Sequence, residues 1–159
     1  MKRKQILEGI KVLDFTQHVA GPSCTRMMAE MGAEIIKVEL APTGDQVRYL
    51  GYQKGGRSIY FLQQNRGKQS LCLDAKTERG QQILHDLIKQ VDVLVENFAP
   101  GAIARLGCGW EVASRLNPEL IMCSISTFGQ SGPLADLPGY DYIGQAYSGV
   151  SSLIGEEDR

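Results

Sequence analysis

The sequence is 159 residues long, 43% hydrophobic and 22% charged, with 18 glycines, the make-up of one globular domain with a full core and many turns, neither disordered nor fibrous. A formal net charge of -1 with the signs interspersed leaves no basic stripe for a nucleic-acid backbone, and no stretch approaches the ~20 apolar residues of a membrane-spanning helix. The opening MKRKQILEGIKVLDF has a basic head but no apolar run or cleavage site after it, which predicts a cytoplasmic protein. Cys24, Cys72, Cys108 and Cys123 are far apart and match no metal-ligand spacing, so they read as buried free thiols and no metal is expected.

Apolar runs alternate with helical patterns along the chain, the signature of an α/β fold with a parallel sheet and crossover helices. IKVLDF (Ile10 to Phe15) reads as the first strand and PSCTRMMAEMG as a helix with Pro22 at its start and Gly32 as its stop. EIIKVE completes a βαβ unit, and QSLCLD is the third strand. In the helix TERGQQILHDLIKQ, residues Ile83, Leu84, Leu87, Ile88 and Val91 fall on one stripe, Thr77 can cap the start, and His85 lies off the stripe as solvated surface. VDVLVE, a short helix ending near Leu116 and LIMCSIS then bring the count to five strands. The stretch between Leu40 and Gly67 is turn-rich and too long for a simple connection, the kind of loop that often carries function.

Ligands of open α/β sheets bind beyond the carboxyl ends of the strands, which turns the strand assignments into a list of candidates. His18 and Val19 follow the first strand, Leu73 lies at the end of the third with Lys76 after it, Asn97 and Phe98 follow the fourth, and Arg105 comes one short helix later. An amide, an aromatic plane and a fixed cation could together grip an amide-containing, phosphorylated ligand. The same residues could equally be a capping Asn, a core Phe and a surface Arg, and His18 could be a base or a structural loop residue. Asp14 reads as a structural hydrogen bonder inside a strand. No dinucleotide fingerprint, P-loop or Ser-His-Asp arrangement is present. The segment PGYDYIGQAYSGV, with Tyr140 and Asp141, has the composition of an active-site wall rather than of a finishing surface helix.

Five segments in register, LEGIKVLDFTQHVAGPSCTRMMAEMGAEIIKVE, LDAKT, VLVENFAPGAIARLG, LNPELIMCSISTFGQSGP and PGYDYIGQAYSG, resemble the amino-terminal part of the family III CoA-transferases, the CaiB/BaiF group that includes formyl-CoA transferase. The resemblance covers nearly the whole chain. It implies a Rossmann-like parallel sheet forming the amino-terminal part of the family's large domain, so that residues 1–159 are one domain. It also implies acyl-CoA and a carboxylic acid as substrates, and a homodimer. The implied chemistry is covalent: an aspartate attacks the thioester, passes through a mixed anhydride, becomes an aspartyl-CoA thioester and yields CoA to the acceptor acid.

By the same resemblance, CoA-binding roles fall to Leu73 and Lys76 near the adenine, Asn97 and Phe98 along the pantetheine, and Arg105 toward the phosphates. His18, Val19, Tyr140 and Asp141 line the acyl pocket. Formyl-CoA transferases carry glutamine at the position of Val19, which argues against oxalate as the substrate. Leu40 stands where some members carry an arginine, and Thr127 replaces a loop glycine, a strained exchange wherever that backbone needs positive φ. The α-methylacyl-CoA racemases of the same fold carry histidine where this chain has Tyr140, a poor base at neutral pH, so transfer is favoured over racemisation. The nucleophilic aspartate of the family lies beyond the match to QAYSG, and Glu156, Glu157 and Asp158 lack its glycine context. The sequence therefore reads as a fragment without a catalytic residue of its own, active only with the remainder of the enzyme. A CoA-binding module and a non-functional remnant are the competing readings.

Overall fold

The computed structural model describes residues 4–155; Glu156, Glu157 and Asp158 lie outside the described residues. Five parallel strands form the central sheet in the order β5-β2-β1-β6-β7: β1 (Lys11–Asp14), β2 (Glu34–Leu40), β5 (Gln69–Leu73), β6 (Val93–Glu96) and β7 (Ile121–Ser124). The expected α/β fold with crossover helices is present. Chain order runs outward from β1 to β2 and β5, then returns past β1 to β6 and β7, so the direction of winding reverses between β1 and β6. In open α/β sheets, a reversal of this kind is where ligand crevices form, at the carboxyl ends of the two strands.

The strands read as continuous apolar runs because both faces of the sheet are covered. Leu13, Ile36 and Leu94 point into the larger core, where they meet Leu84, Ile88, Ile103 and Ala113. These belong to α3 (Glu78–Ile88), α4 (Ala102–Arg105) and α5 (Trp110–Leu116). Val12, Ile35 and Val95 point the other way, with Met28 and Ala29 of α1 (Ala20–Glu30). A step of one residue changes the face, as the period-two geometry of a strand requires. The Thr77 hydroxyl caps α3 by accepting from the Gly80 N–H at 3.0 Å, as expected. His85 departs from expectation: it is half-buried and its Nε2 sits 2.9 Å from the Gly107 carbonyl, tying α3 to the turn after α4. The cysteines are free, but only Cys108 is buried as expected; Cys24 and Cys123 are half-buried, and Cys72 is exposed on the edge strand. Burial alone raises the Cys108 thiol to about 11.

The stretch after Leu40 is ordered by short elements: a 3-10 turn at Gln46–Arg48, the hairpin β3 (Gln53–Lys54) with β4 (Arg57–Ser58), and α2 (Ile59–Asn65). Asp45 accepts from the Val47 N–H at the start of the turn, and the Ser58 hydroxyl accepts from the Phe61 N–H at the start of α2. The PGYDYIGQAYSGV segment, expected from its composition to be an active-site wall rather than a surface helix, contains α6 (Asp141–Tyr147), a helix with no buried residue. Its tyrosines are largely exposed, Tyr142 by 83%. Thr127 does not adopt positive φ, so the strain considered for it does not arise.

Leu84 is fully buried whereas Leu153 is 84% exposed. Leu84→Ala is expected to cost about 2–5 kcal/mol by lost transfer energy plus a cavity, and Leu153→Ala at most about 0.5 kcal/mol. Urea denaturation of the two variants side by side checks the contrast.

Candidate functional site

The carboxyl edge of the sheet is held by buried charges. Asp14, the last residue of β1, is fully buried. Its Oδ1 accepts from the Thr16 N–H at 2.8 Å and the Thr16 hydroxyl at 2.5 Å, and its Oδ2 accepts from the Thr25 hydroxyl at 2.8 Å. The Lys68 ammonium reaches the same Oδ2 at 3.0 Å and also donates to the Asn65 Oδ1 and the Pro22 carbonyl. Burial lowers the Lys68 pKa while the Asp14 charge opposes that shift. Lys37, inside β2, donates to the Thr16 carbonyl at 2.6 Å and lies 2.9 Å from Asp45 Oδ2, an ion contact whose angle falls short of a hydrogen bond.

Beside it, Glu39 takes both nitrogens of a forked Arg48 contact at 2.6 and 2.5 Å, the Ser70 hydroxyl at 2.6 Å and the Asp45 N–H at 3.1 Å. Burial pushes its pKa up, but the hydrogen bonds from Arg48, Ser70 and Asp45 outweigh this and hold the carboxyl at about 2. The Arg48 guanidinium meets Glu39 through its edge and lies over the Phe61 ring, 3.8 Å from the ring centre. A planar, delocalised cation suits such an edge-and-face arrangement.

On this base stand the two loops of the crevice, tied together by Asn97. Its Oδ1 accepts from the Gln17 N–H at 2.7 Å and its Nδ2 donates to the Gln17 carbonyl at 2.8 Å. Gly21 permits the close approach of α1: a Cβ there would overlap the Thr16 side chain and come within 3.2 Å of the Asn97 amide carbon. His18 follows with φ of 64°, the one non-glycine residue with positive φ among the described residues. Backbone held there costs free energy and marks a site that its surroundings over-determine. The His18 ring is half-buried, and Val19 is 45% exposed at the mouth of the loop.

The other expected residues are spread along the same edge. Leu73 ends β5 and packs partly against the larger core; exposed Lys76 donates its N–H to Asp74 Oδ1 at 2.9 Å in the turn that opens α3. Phe98 also packs partly against that core, and its N–H donates to the buried Glu96 Oε2 at 2.8 Å. Arg105 ends α4, is exposed, and has no ion-pair partner among the described residues. From β5 to β6 the arc crosses three strand spacings, about 14 Å at ~4.8 Å each. Tyr140 is exposed and Asp141 accepts from Gln145 Nε2 at 2.7 Å within α6; no hydrogen bond joins their side chains to the arc among the described residues. Asp14 is the structural hydrogen bonder that the sequence reading expected, whereas its partner Lys68 and the buried Lys37, Glu39 and Asp45 escaped that reading, although Lys37 in the middle of an apolar strand signalled that a carboxylate had to face it.

The family model for CoA-transferase family III matches residues 7–159. The chain is 44% identical over 153 residues to the formyl-CoA:oxalate CoA-transferase of Afipia carboxidovorans, covering 96% of this chain and 36% of that protein. It is 42% identical over 163 residues to the succinate–glutarate CoA-transferase of Agrobacterium fabrum, covering 98% of this chain and 41% of that protein. A crystal structure of a CAIB/BAIF family protein from Brucella suis superimposes with a TM-score of 0.92 at 38% identity, over 99% of this chain and 43% of that one. The chain thus spans about two-fifths of the length of these relatives.

Glu39 titrates near 4.5 when unfolded and at about 2 when folded. A lowered folded pKa gives stability that is complete above the unfolded value and is lost as pH falls toward the folded one. Thermal melts between pH 5 and about 2 are therefore expected to show a steeper loss of Tm for the wild type than for Glu39→Gln, which lacks the titrating group.

Proposed function

Because the chain belongs to CoA-transferase family III, we propose that its residues supply the CoA-binding half of an enzyme that moves CoA between an acyl-CoA and a carboxylic acid. One observation carries the reading. Leu73, Lys76, His18, Val19, Asn97 and Phe98 lie along a single carboxyl edge that includes the point where the sheet reverses its winding. Arg105, unpaired among the described residues, stands beyond it. Residues 1–159 are proposed as the amino-terminal Rossmann-like domain, with coenzyme A entering as a substrate thioester.

In this reading Leu73 and Lys76 receive the adenine end, Asn97 and Phe98 flank the pantetheine arm, and Arg105 meets the phosphates through charge-assisted hydrogen bonds. Asn97 retains one amide hydrogen and one lone pair beyond its two bonds to Gln17. His18, Val19, Tyr140 and Asp141 border the acyl group.

The exchange runs through an aspartate provided from outside the described residues. Its carboxylate attacks the thioester carbonyl and CoA leaves as thiolate, giving a mixed anhydride. The thiolate then attacks the aspartyl carbonyl, which releases the donor acid and leaves an aspartyl-CoA thioester for the acceptor to enter by the same two steps in reverse. The buried carboxylates of this chain are occupied: Asp14, Glu39, Asp45 and Glu96 each accept hydrogen bonds from internal donors. That occupancy also favours a second reading, a module that binds CoA without turnover.

The relatives named for oxalate and for succinate and glutarate point to a dicarboxylic acid among the substrates, and Val19 in place of a polar side chain favours one longer than oxalate. A cytoplasmic homodimer is part of the proposal; among the described residues no helix is long and apolar enough to cross a membrane.

Calorimetry of the purified chain with CoA tests the reading. Binding is expected, and Arg105→Ala is expected to weaken it by about 1.5–3 kcal/mol, the range of a hydrogen bond to a charged group. A folded chain that takes up no CoA would contradict it.

A further inference from the structure

Beyond the carboxyl end of β2 the structure contains a cavity of about 620 Å³ between the 3-10 turn, the hairpin and α2. Phe61 and Leu62 give it apolar walls, and Arg48, Arg57, Tyr49 and Gln53 give it polar ones. Most of the polar groups are already engaged. Arg48 is neutralised by the forked contact with Glu39. The Tyr49 hydroxyl donates to the Thr43 carbonyl at 3.1 Å, and Gln53 Nε2 donates to the Arg48 carbonyl at 3.3 Å. Arg57 makes neither an ion pair nor a side-chain hydrogen bond among the described residues.

The hairpin sharpens this imbalance. Lys54 and Arg57 are direct cross-strand partners, joined by Gly55 and Gly56 at φ of 58° and 71°. Two consecutive positive φ values make the tight turn whose twist matches the strands, so the two cations are held opposite each other on one face. Like charges placed directly opposite destabilise a strand pair, and no carboxylate offsets them among the described residues. An unpaired guanidinium beside apolar walls, with a second cation facing it, is suited to a carboxylate on the far end of a short hydrocarbon chain. A phosphate would find no apolar requirement to satisfy.

We propose that Arg57 holds the remote carboxylate of a dicarboxylic acyl group in this cavity, with Lys54 adding positive charge from its cross-strand position outside the lining, and so selects dicarboxylic over monocarboxylic substrates. The cavity lies at the same end of the sheet as the loop of His18 and Val19, because Arg48 in its wall is fixed to Glu39 near the carboxyl end of β2, the neighbour of β1. The inference rests on the CoA-thioester reading above and specifies its acyl group.

The test compares glutaryl-CoA with valeryl-CoA, which differ in having or lacking a terminal carboxylate on a five-carbon acyl chain, by calorimetry with wild type and Arg57→Gln. Wild type is expected to bind glutaryl-CoA at least about tenfold more tightly, a difference of ~1.4 kcal/mol. Arg57→Gln is expected to bring the two within about twofold while leaving the affinity for valeryl-CoA unchanged, which also shows that the exposed hairpin substitution has not disturbed the fold. Equal affinities in wild type, or a preference that survives in Arg57→Gln, overturn the inference and leave the thioester reading standing. Binding of neither thioester overturns both.

Discussion

Asp14 is fully buried at the end of the central strand, and its carboxylate accepts four hydrogen bonds, from the N–H and hydroxyl of Thr16, the hydroxyl of Thr25 and the ammonium of Lys68. A charge so far from water is tolerated only when paired and fully hydrogen-bonded. The requirement shapes the structure around it. Thr25 is on α1, and Lys68 stands immediately before β5 while also holding Asn65 and the Pro22 carbonyl. One carboxylate thus fixes α1, the end of α2 and the edge strand relative to β1. Removing either partner would leave the other buried and uncompensated, which is why the pair acts as a constraint even though ion pairs of this kind add little net stability.

Lys37 extends the lattice by reaching both the Thr16 carbonyl and Asp45, and Asp45 and Glu39 anchor the irregular segment that follows β2. The loop after β1 is consequently gripped from below by Asp14 and Lys37 and from the side by Asn97, which leaves His18 in left-handed backbone. Such pre-organisation is what a binding edge needs, because groups already ordered lose little entropy when a ligand arrives. It also explains a division of labour along the edge. Residues deep in the crevice are tied to one another, whereas Lys76, Arg105 and Arg57 are exposed cations free to meet anions.

The sheet was legible in the sequence because its signal is local. Ile35 and Ile36, or Leu94 and Val95, face opposite cores, and a strand covered on both faces must be apolar throughout. The cap of α3 by Thr77 and the stop at Gly32, with φ of 104°, were equally local. The segment after Leu40 resisted because its order comes from polar contacts that follow no helical or strand period: Arg48 to Glu39 nine residues back, and, over longer separations, Ser70 to Glu39 and Lys68 to Asp14. A partner many residues away leaves no periodicity to read. His85 failed for the same reason, since the Gly107 carbonyl it meets lies 22 residues along the chain. Candidate residues at the edge could be listed from strand ends alone, whereas the bond between Asn97 and Gln17, 80 residues apart, and the opposed cations of the hairpin required the structure.

The central claim is that one carboxyl edge, pre-organised by buried charge, forms a continuous surface for a CoA thioester. A ¹⁵N-labelled chain titrated with CoA tests it most directly, because each backbone amide reports its own surroundings. The account predicts saturable shifts at Gln17 to Val19, at Leu73 to Lys76, at Asn97 and Phe98 and near Arg105, with amides at the opposite ends of the strands, such as Glu34 and Asp92, unmoved. Saturable shifts confined to another face, or none at all in a folded chain, would contradict it.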